Sequence, residues 1–528
     1  MVKGFRQIVV FTALSRVLGM VRDMAFAYFL GAGGLMDAWA IAFKIPNLAR
    51  RLFGEGAAAS SLIPVYSEQL HRDPQRANRF AMSVVTAVFV LLAGVAVLGE
   101  VFLWLYYHFL AAHEGARLKV ALTGLMLPYM VLICVVAVLG GMLNTHRHFA
   151  IPAAAPLVLN VFLIAGLCLG GWVLHLPQRT TVYVVSAGVV LAGLVQLAMQ
   201  APPLWRLGVS LRPAWDVRSE PFRRTLVLMG PMILGLTATQ ISTLVNDLTA
   251  LWLSGSAEKG EAFFLLGHAV RYPLWEGAVS HLFYAQRLYQ LPLGLFGVSL
   301  ATAIFPEMSV DAAKRDFTSL GRAISWGMRC TVFVAAPATV GLLLIGRPVV
   351  SVILERGQFT SADTAATAVT LSFYVLGLGG YFAQQILTRA FYSLQESRVP
   401  ARTALIAVGL GAILNLVLVW PLGSGGLAAA TAVGSYIQVA MLATALRRRL
   451  GADVMAGIGR AFRDTAIATA CMAAAVAGVQ HLLGHSSHVL SLAVAVVAGT
   501  LVFGVVAWAL RIEMLSLFLG KGRHTTIR

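Results

Sequence analysis

The sequence predicts an all-α polytopic membrane protein with about 14 transmembrane helices. Hydrophobic residues make up 59% of the 528-residue chain, charged residues make up only 12%, and the mean hydropathy is +0.80. A soluble domain carries about 25% charged residues, so this chain cannot cover itself with a hydrated surface. Long apolar segments recur along its whole length, as membrane-spanning helices of about 20 residues require. Helices rather than strands are predicted because lipid offers no partner for an exposed backbone amide or carbonyl.

Fourteen segments have the length and the apolar character of a span. The first, second and eighth are weaker than the others because they carry charged residues. The predicted spans, numbered 1 to 14 in chain order, are 7–30, 37–66, 81–108, 119–143, 155–175, 181–205, 225–253, 281–309, 322–346, 363–393, 402–421, 427–446, 463–483 and 488–512.

The charges between the spans predict the orientation. With the N-terminus inside, the cytoplasmic side holds 24 Lys and Arg residues and the outer side holds 7. Membrane proteins concentrate Lys and Arg in cytoplasmic loops, so both termini are predicted to be cytoplasmic. The seven outer residues are Arg117, Lys119, Arg179, Lys259, Arg271, Arg347 and Arg356. The net charge of +18 therefore reflects topology, and no nucleic-acid partner is predicted.

The longest outer connection is residues 254–280, which combines charged residues with an apolar stretch at 263–266. Two interpretations stay open: a segment that lies on the membrane surface, or a plain insertion, which loops generally tolerate. No nucleotide-binding or metal-binding spacing occurs in the sequence, so no cofactor is predicted.

Two pairs of short patterns, each pair six spans apart, indicate an internal repeat. Residues 52–54 and 295–297 both read LFG, and each is followed by a PxxS pattern, at 64–67 and 306–309. A weaker echo joins 143–152 to 394–400. An even offset predicts two parallel lobes related by an axis along the membrane normal, the architecture of alternating access. The predicted domains are an N-terminal lobe (1–210), a C-terminal lobe (211–450) and an appendage of two helices with a basic tail (451–528).

The first two spans carry charges that lipid does not tolerate. Each charge at mid-membrane costs about 2.5–3.5 kcal/mol on insertion scales, so these side chains are expected to face a wet cavity or each other. Asp37, Lys44 and Arg51 recur every seven residues and so share a face of an unbroken helix. The full set in this region is Arg16, Arg22, Asp23, Asp37, Lys44, Arg50, Arg51 and Glu55.

Two interpretations of this set compete. Local ion pairs, such as Arg51 with Glu55 or Arg22 with Asp23 or Asp37, would neutralise the carboxylates. Pairing still leaves more cations than acids, and Arg287 and Arg389 add two further arginines in later spans. A surplus of guanidinium groups favours an anionic ligand, because planar Arg binds phosphate oxygens two at a time.

Asp247, beside Asn246 in span 7, is a lone acid within an apolar segment. It is either a site for a coupling cation or a structural residue that accepts a hydrogen bond from its own helix. An intramembrane acid is a candidate functional residue in either case.

These residues also carry a family resemblance. Segments 15–23 and 43–56 read SRVLGMVRD and FKIPNLARRLFGEG, with Asp37-Ala38 between them. Further matching segments are 143–156, 230–242 and 389–393. Together they resemble the signature of the MurJ/MviN lipid II flippases over spans 1 to 12. Beyond about residue 450 only the hydropathy is similar.

The resemblance implies a fourteen-helix fold of the multidrug/oligosaccharidyl-lipid/polysaccharide exporter superfamily in the bacterial inner membrane. It implies transport of the polyprenyl-pyrophosphate-linked peptidoglycan precursor from the inner to the outer leaflet, with a groove for the polyprenyl tail in the last two spans. By resemblance, Arg16, Arg22, Arg50 and Arg287 would contact pyrophosphate, and Asp37 would be an accompanying essential carboxylate. The chain departs from the family pattern where Gln286 and Gln290 flank Arg287, since the family often has acids there.

The sequence therefore predicts a flippase that acts by alternating access, works as a monomer, and uses a coupling cation or the membrane potential rather than a cofactor. A related exporter of another polyprenyl-linked glycan or of drugs is the first alternative. A membrane-embedded lipid-modifying enzyme is the second, and the surplus of cations over carboxylates argues against its metal centre.

Overall fold

The computed structural model describes residues 2–52, 59–111, 113–483 and 487–517. The chain forms two compact units. The first contains residues 1–247, 253–280 and 356–360, and the second contains 248–252, 281–355 and 361–528. These units are defined by packing and not by the sequence repeat, so the lobe boundaries predicted at 210 and 450 stay a prediction.

Among the residues that the structure describes, ten helical segments are long and apolar enough to cross a membrane. In chain order they form spans 3 to 6, 8, 9 and 11 to 14. Their bounds are Pro74–Phe109, Glu114–Thr145, Ala150–Val173, Gln178–Arg206, Ala278–Ala313, Phe317–Leu354, Arg398–Leu422, Ser424–Leu450, Ile458–Leu482 and His488–Ala509.

The remaining spans are broken or carry charges. Span 10 consists of Ser361–Leu376 and Leu378–Ser393, which meet at an angle of 42°. Span 1 is Val2–Leu30, and span 7 is Glu220–Trp252. Span 2 contains the helices Gly34–Ala49 and Ala59–Arg72. The described helices thus group into 14 segments that match the predicted spans one for one, and the all-α polytopic fold is confirmed.

The ends of spans 4 and 10 support the predicted repeat. Arg147 and Gln395 both have a positive φ, 62° and 59°, directly after their helices. In each case the amide of the next residue donates to the carbonyl five residues back, which is the Schellman arrangement. These bonds run from His148 N to Leu143 O and from Glu396 N to Phe391 O, both 2.9 Å. The following helix begins three residues after the turn in both places, at Ala150 and Arg398.

Spans 2 and 8, and the helices that follow them, match in the same way. Asp73 and Asp316 cap the next helix with their carboxylates, accepting from Gln75 N at 2.9 Å and from Ser319 N at 3.0 Å. Asp316 follows Asp73 by the same 243 residues that separate the two LFG patterns. A wider π-helical turn lies within each span, at 50–52 and at Leu293–Gly297. Two copies of one ancestral unit would retain helix caps and π-helical turns at the same separation in sequence, as observed here.

The outer connection between spans 7 and 8 contains the strands, which the all-helical prediction missed. Strand β1 (Ser254–Gly255) pairs in parallel with β4 (Leu274–Trp275), and β2 (Ala262–Leu265) pairs antiparallel with β3 (His268–Arg271). Residues 254–275 are therefore a folded insertion, and it lies in the first compact unit.

Gly426, in the first turn of span 12, packs against the end of span 11 without room for a side chain. A Cβ there would overlap the Leu418 carbonyl and would lie 2.9 Å from Val419 N. Both neighbours are backbone atoms, which cannot move aside as a flexible side chain can.

We therefore expect Gly426→Ala to destabilise the protein by about 1–3 kcal/mol, the usual cost of overpacking. Gly409→Ala in span 11 is the matched control, because that position is exposed and has nothing within 4 Å of the added Cβ. The control should stabilise its helix by about 0.5–1 kcal/mol. Thermal unfolding of the detergent-purified protein measures both effects, and equal melting temperatures for the two variants would contradict the packing argument.

Candidate functional site

Asp37, which the sequence analysis placed among the ligand-binding charges, caps the start of span 8. Its Oδ2 accepts a hydrogen bond from Gly277 N at 2.7 Å, and its Oδ1 accepts from Ser280 N at 2.7 Å and from the Ser280 hydroxyl at 2.5 Å. The carboxylate is buried, with 5% of the residue exposed. A negative charge is stabilised at a helix N-terminus by the unpaired amides and by the helix dipole. Asp37 therefore ties span 2 to the first turn of the helix that carries Arg287.

Lys44 and Arg51 both reach span 7. The Lys44 ammonium forms an ion pair with the carboxylate of Asp247 and donates to Thr243 O at 3.4 Å. Seven residues, or about two helical turns, further on, Arg51 donates to Gln240 Oε1 at 3.1 Å. Asp247 and Asn246, the candidate cation site, are both buried. In this structure the Lys44 ammonium contacts the Asp247 carboxylate of that site.

Arg22 is held by three hydrogen bonds. Its Nε and one terminal nitrogen donate to Asp23 Oδ1 at 2.9 and 2.7 Å, and its other terminal nitrogen donates to Asn160 Oδ1 at 2.9 Å. The Asn160 amide in turn donates to Ser15 O at 3.2 Å. The local pair of Arg22 with Asp23 is one of the pairings that the sequence left open. Asn160 orients the guanidinium from span 5.

The remaining members of the N-terminal set are Arg16, Arg50 and Glu55. Arg16 is exposed on span 1, and within the described residues its side chain makes no hydrogen bond or ion pair. Arg50 is half-buried and donates to Asn47 Oδ1 at 3.0 Å. Glu55 lies outside the described residues.

A second group of charges lies in and beside the insertion, on the predicted outer side. Glu258 of the insertion accepts a hydrogen bond from Gly115 N, at the start of span 4, at 2.9 Å. Lys259 is half-buried, and its burial, together with the charge of Lys119, lowers the pKa of its ammonium despite the opposing influence of Glu276. The insertion therefore brings its own charges to the side of the first unit where Asp37 lies.

Within the second unit, Arg287 has an aromatic and amide environment. Its guanidinium carbon lies 4.8 Å from the centre of the Phe283 ring, a cation–π geometry. The neighbouring Gln286 donates to the Tyr374 hydroxyl at 2.9 Å. The substitution of an amide for the acid of the family pattern thus leaves a neutral hydrogen bond beside Arg287. Arg389 and Gln290 are half-buried in the same unit.

Several charged side chains of the first unit have identified partners. Among the charges of spans 1, 2 and 7 described here, Asp23 contacts Arg22, Asp247 contacts Lys44, and Asp37 is engaged by a helix N-terminus. Arg50 and Arg51 donate to neutral side-chain amides.

Sequence reasoning missed the partners Asn160, Gln240, Ser280 and Gly277. Asn160 left a signal, because it is the one polar side chain in the run LVLNVFLIAG, and a buried amide in a span needs a hydrogen-bond partner. Gln240, Ser280 and Gly277 left none, since their roles depend on which spans meet.

The fold defines a multi-pass membrane protein with the architecture of a transporter. Residues 26–498 match the family model described as "Lipid II flippase MurJ". The chain belongs to this family, whose members are named as transporters and not as enzymes, and the family resemblance found in the sequence is confirmed.

Two curated relatives and one solved structure illustrate the relationship. The chain is 31% identical over 444 residues to the probable lipid II flippase MurJ of Vibrio cholerae, covering 82% of this chain and 80% of the relative. It is 31% identical over 454 residues to the lipid II flippase MurJ of Burkholderia cenocepacia, covering 83% and 82%. A solved structure described as lipid II flippase MurJ in an inward closed conformation has a similar fold, with a TM-score of 0.75 and 24% sequence identity. The match covers 97% of this chain and 98% of the chain in that structure. That likeness establishes the shared fold.

We expect Asp37→Ala to destabilise the protein by about 1–3 kcal/mol, because it leaves buried backbone donors at the start of span 8 without an acceptor. Glu261→Ala is the matched control, since this acid lies in the same outer region but is exposed. Thermal unfolding in detergent measures the difference. A melting temperature for Asp37→Ala equal to that of Glu261→Ala would show that the cap contributes nothing.

Proposed function

We propose that this chain moves lipid II, the polyprenyl-pyrophosphate-linked peptidoglycan precursor, from the inner to the outer leaflet of the bacterial plasma membrane. Membership of the lipid II flippase family across residues 26–498 is the observation that carries the proposal. In this proposal both termini face the cytoplasm, as the distribution of Lys and Arg predicts. The protein acts as a monomer.

The proposed site is the set of charged residues predicted from the sequence. In the inward-open state, Arg16, Arg22, Arg50 and Arg51 attract the pyrophosphate of the head group, and the polyprenyl tail stays in lipid. Arg22 supports this role best, because Asp23 and Asn160 fix its guanidinium in one orientation. A guanidinium group that is already held in one orientation loses less conformational entropy on binding phosphate than a mobile side chain does.

The C-terminal lobe, residues 211–450, contributes Arg287 and Arg389 in this proposal. Its arginines and those of the N-terminal lobe (1–210) face the head group in turn as the two lobes alternate between inward-open and outward-open states. The remaining residues, 451–528, supply the two helices of the tail groove. Neutralisation of cationic side chains by the substrate lowers the cost of closing the lobes around it.

Asp37, Asp23 and Lys44 have a different proposed role, and Glu55 stays a predicted substrate contact. The first three hold the site rather than meet phosphate, since Asp37 caps span 8 and Lys44 contacts Asp247. The surplus of positive charge makes the return of the empty carrier sensitive to membrane potential, at about 2.3 kcal/mol per charge per 100 mV.

The family assignment decides between the alternatives raised by the sequence. The curated relatives are named flippases of lipid II, which favours lipid II over a drug or another polyprenyl-linked glycan. A membrane-embedded lipid-modifying enzyme has no support among these names.

We expect single replacements of Arg16, Arg22, Arg50 and Arg287 by Ala to abolish growth of cells depleted of their own flippase. The reason is that each removes a charge-assisted contact to pyrophosphate, worth about 1.5–3 kcal/mol or roughly a tenfold to hundredfold loss. Growth complementation and the appearance of lipid II in the outer leaflet are the measurements.

Arg402→Ala is the matched control, because this arginine is exposed at the cytoplasmic start of span 11. Expression in the membrane is measured for every variant. If all four replacements support growth like the control, the arginines do not form the site, although the family assignment would stand.

Asp247 and Asn246 are proposed to bind a coupling cation that competes with the Lys44 ammonium. Lys44→Met removes the competitor, so Na⁺ should then raise the melting temperature relative to choline, since a ligand that binds only the folded state stabilises it. The double variant Lys44→Met/Asp247→Asn should lose this stabilisation. An identical melting temperature of Lys44→Met in Na⁺ and in choline would leave Asp247 as a purely structural partner of Lys44.

A further inference from the structure

The outer insertion between spans 7 and 8 carries a rigid hairpin. Strands β2 and β3 form four registered pairs, from Ala262 with Arg271 to Leu265 with His268. At its base, the Phe263 and Tyr272 rings pack with their centres 5.0 Å apart. The loop between the strands has only two residues, Leu266 and Gly267. The hairpin is thus a short stiff arm with a tight turn at its tip.

The residue at the tip is unsuited to water. Leu266 and Gly267 both have positive φ, 50° and 84°, which defines a type I′ turn. The first position of such a turn favours Asn or Asp, whereas a bulky apolar residue with positive φ is a genuine outlier. Leu266 is nevertheless 94% exposed. An exposed leucine with a strained backbone does not stabilise this turn in water. Its presence there therefore indicates a functional role.

The apolar surface continues around the tip. Phe264 is 81% exposed and Leu265 is 55% exposed. Neighbouring residues of a strand point to opposite faces of the hairpin, so Phe264 and Leu265 place one apolar side chain on each face near the turn, and His268 shares the face of Leu265. A tip with exposed apolar side chains on both faces suits immersion in a fluid apolar medium, whereas docking against a protein surface would need them on only one face.

The attachment of the insertion places the hairpin near the edge of the lipid. Glu258 accepts a hydrogen bond from Gly115 N at the start of span 4, and Gly277 N donates to Asp37 of span 2. Just before span 4, at the end of span 3, Phe109 and Leu110 are 75% and 67% exposed, as expected for side chains at a lipid-facing rim. The base of the insertion is therefore fixed to the same end of the spans where the lipid-facing surface ends.

The dimensions agree with this placement. A strand rises about 3.3 Å per residue, so the four residues of β2 extend about 13 Å. The polar layer on each side of the hydrocarbon core is about 5–7 Å thick, as follows from the difference between core and total thickness. An arm anchored at the rim can thus cross that layer.

We propose that the hairpin tip, formed by Phe264, Leu265 and Leu266, inserts into the interfacial region of the outer leaflet and anchors the insertion to the membrane surface. The exposed polar residues Glu261 and Arg271 lie further from the turn, at the level of the lipid head groups, whereas His268 pairs with Leu265 beside the turn. The anchor holds the insertion beside the first turn of span 8, which Asp37 caps. This role does not depend on the identity of the transported lipid.

The test is a depth measurement on the full chain in phospholipid vesicles. In a Cys168→Ala/Cys471→Ala background, Leu265→Cys carries an environment-sensitive fluorophore, and Glu261→Cys on the neck of the same hairpin is the matched control. Quenching by lipids with a nitroxide near the head-group end of the acyl chain should be about threefold greater for the probe at 265 than at 261, as expected for burial about 5–10 Å into the boundary. Aqueous iodide should quench the two probes in the opposite order.

A second variant separates the anchor from the fold of the hairpin. Phe264→Ser with Leu266→Asn removes the apolar tip but supplies Asn-Gly, the preferred type I′ sequence, so the hairpin itself is retained or strengthened. In this variant the probe at 265 should become accessible to iodide and lose its quenching by nitroxide lipids. Iodide accessibility at 265 already in the native tip would overturn the proposal and would favour a second protein as the occupant. Unchanged lipid quenching in the double variant would also overturn it.

Discussion

The desolvation of charge is the constraint on which the rest of the structure depends. The first two spans carry charged side chains through segments that are otherwise apolar, and each of these charges needs a partner or water. The structure supplies partners of three kinds: carboxylates for Arg22 and Lys44, amides for Arg50 and Arg51, and a helix N-terminus for the Asp37 carboxylate. Each of these side chains thus has at least one partner that holds it in place inside an apolar segment.

The same constraint explains why polar residues far apart in sequence become essential neighbours. Asn160 in span 5 holds Arg22, and Ser280 at the start of span 8 binds Asp37. Neither residue contacts a ligand in our proposal, yet both decide where a charged group points. Equivalent caps at Asp73 and Asp316, and equivalent turns at Arg147 and Gln395, show that the ends of the helices follow one plan in both halves of the sequence. The charged side chains do not follow that plan, since the cations are concentrated in the first two spans.

Much of the fold was predictable because the membrane restricts the options to helices of one length. The grouping into 14 spans followed from hydropathy, and the family followed from short motifs around Arg16, Arg22 and 43–56. The residues of the candidate site were predictable as charges in apolar segments, but their partners were not. Spacing predicted that Lys44 and Arg51 share a face, yet Gln240 and Asp247 can only be matched to them once span 7 is known to lie alongside. The strands of the insertion were missed because four-residue runs have too little periodicity to be distinguished from loop.

The π-helical turns in spans 2 and 8 have a consequence for how these helices present their surfaces. A single turn of this kind accommodates one extra residue, and one residue corresponds to a rotation of about 100° around the axis of an α-helix. The helix surface before the π-helical turn, which includes Arg287, is therefore rotated relative to the helix surface after Gly297, although both belong to one helical segment. Removing one residue between Leu293 and Gly297 would restore uniform winding and would swing the second half of the helix by more than a quarter of a circle. Insertion of a single codon in an ancestral half, before its duplication, would account for both turns at once.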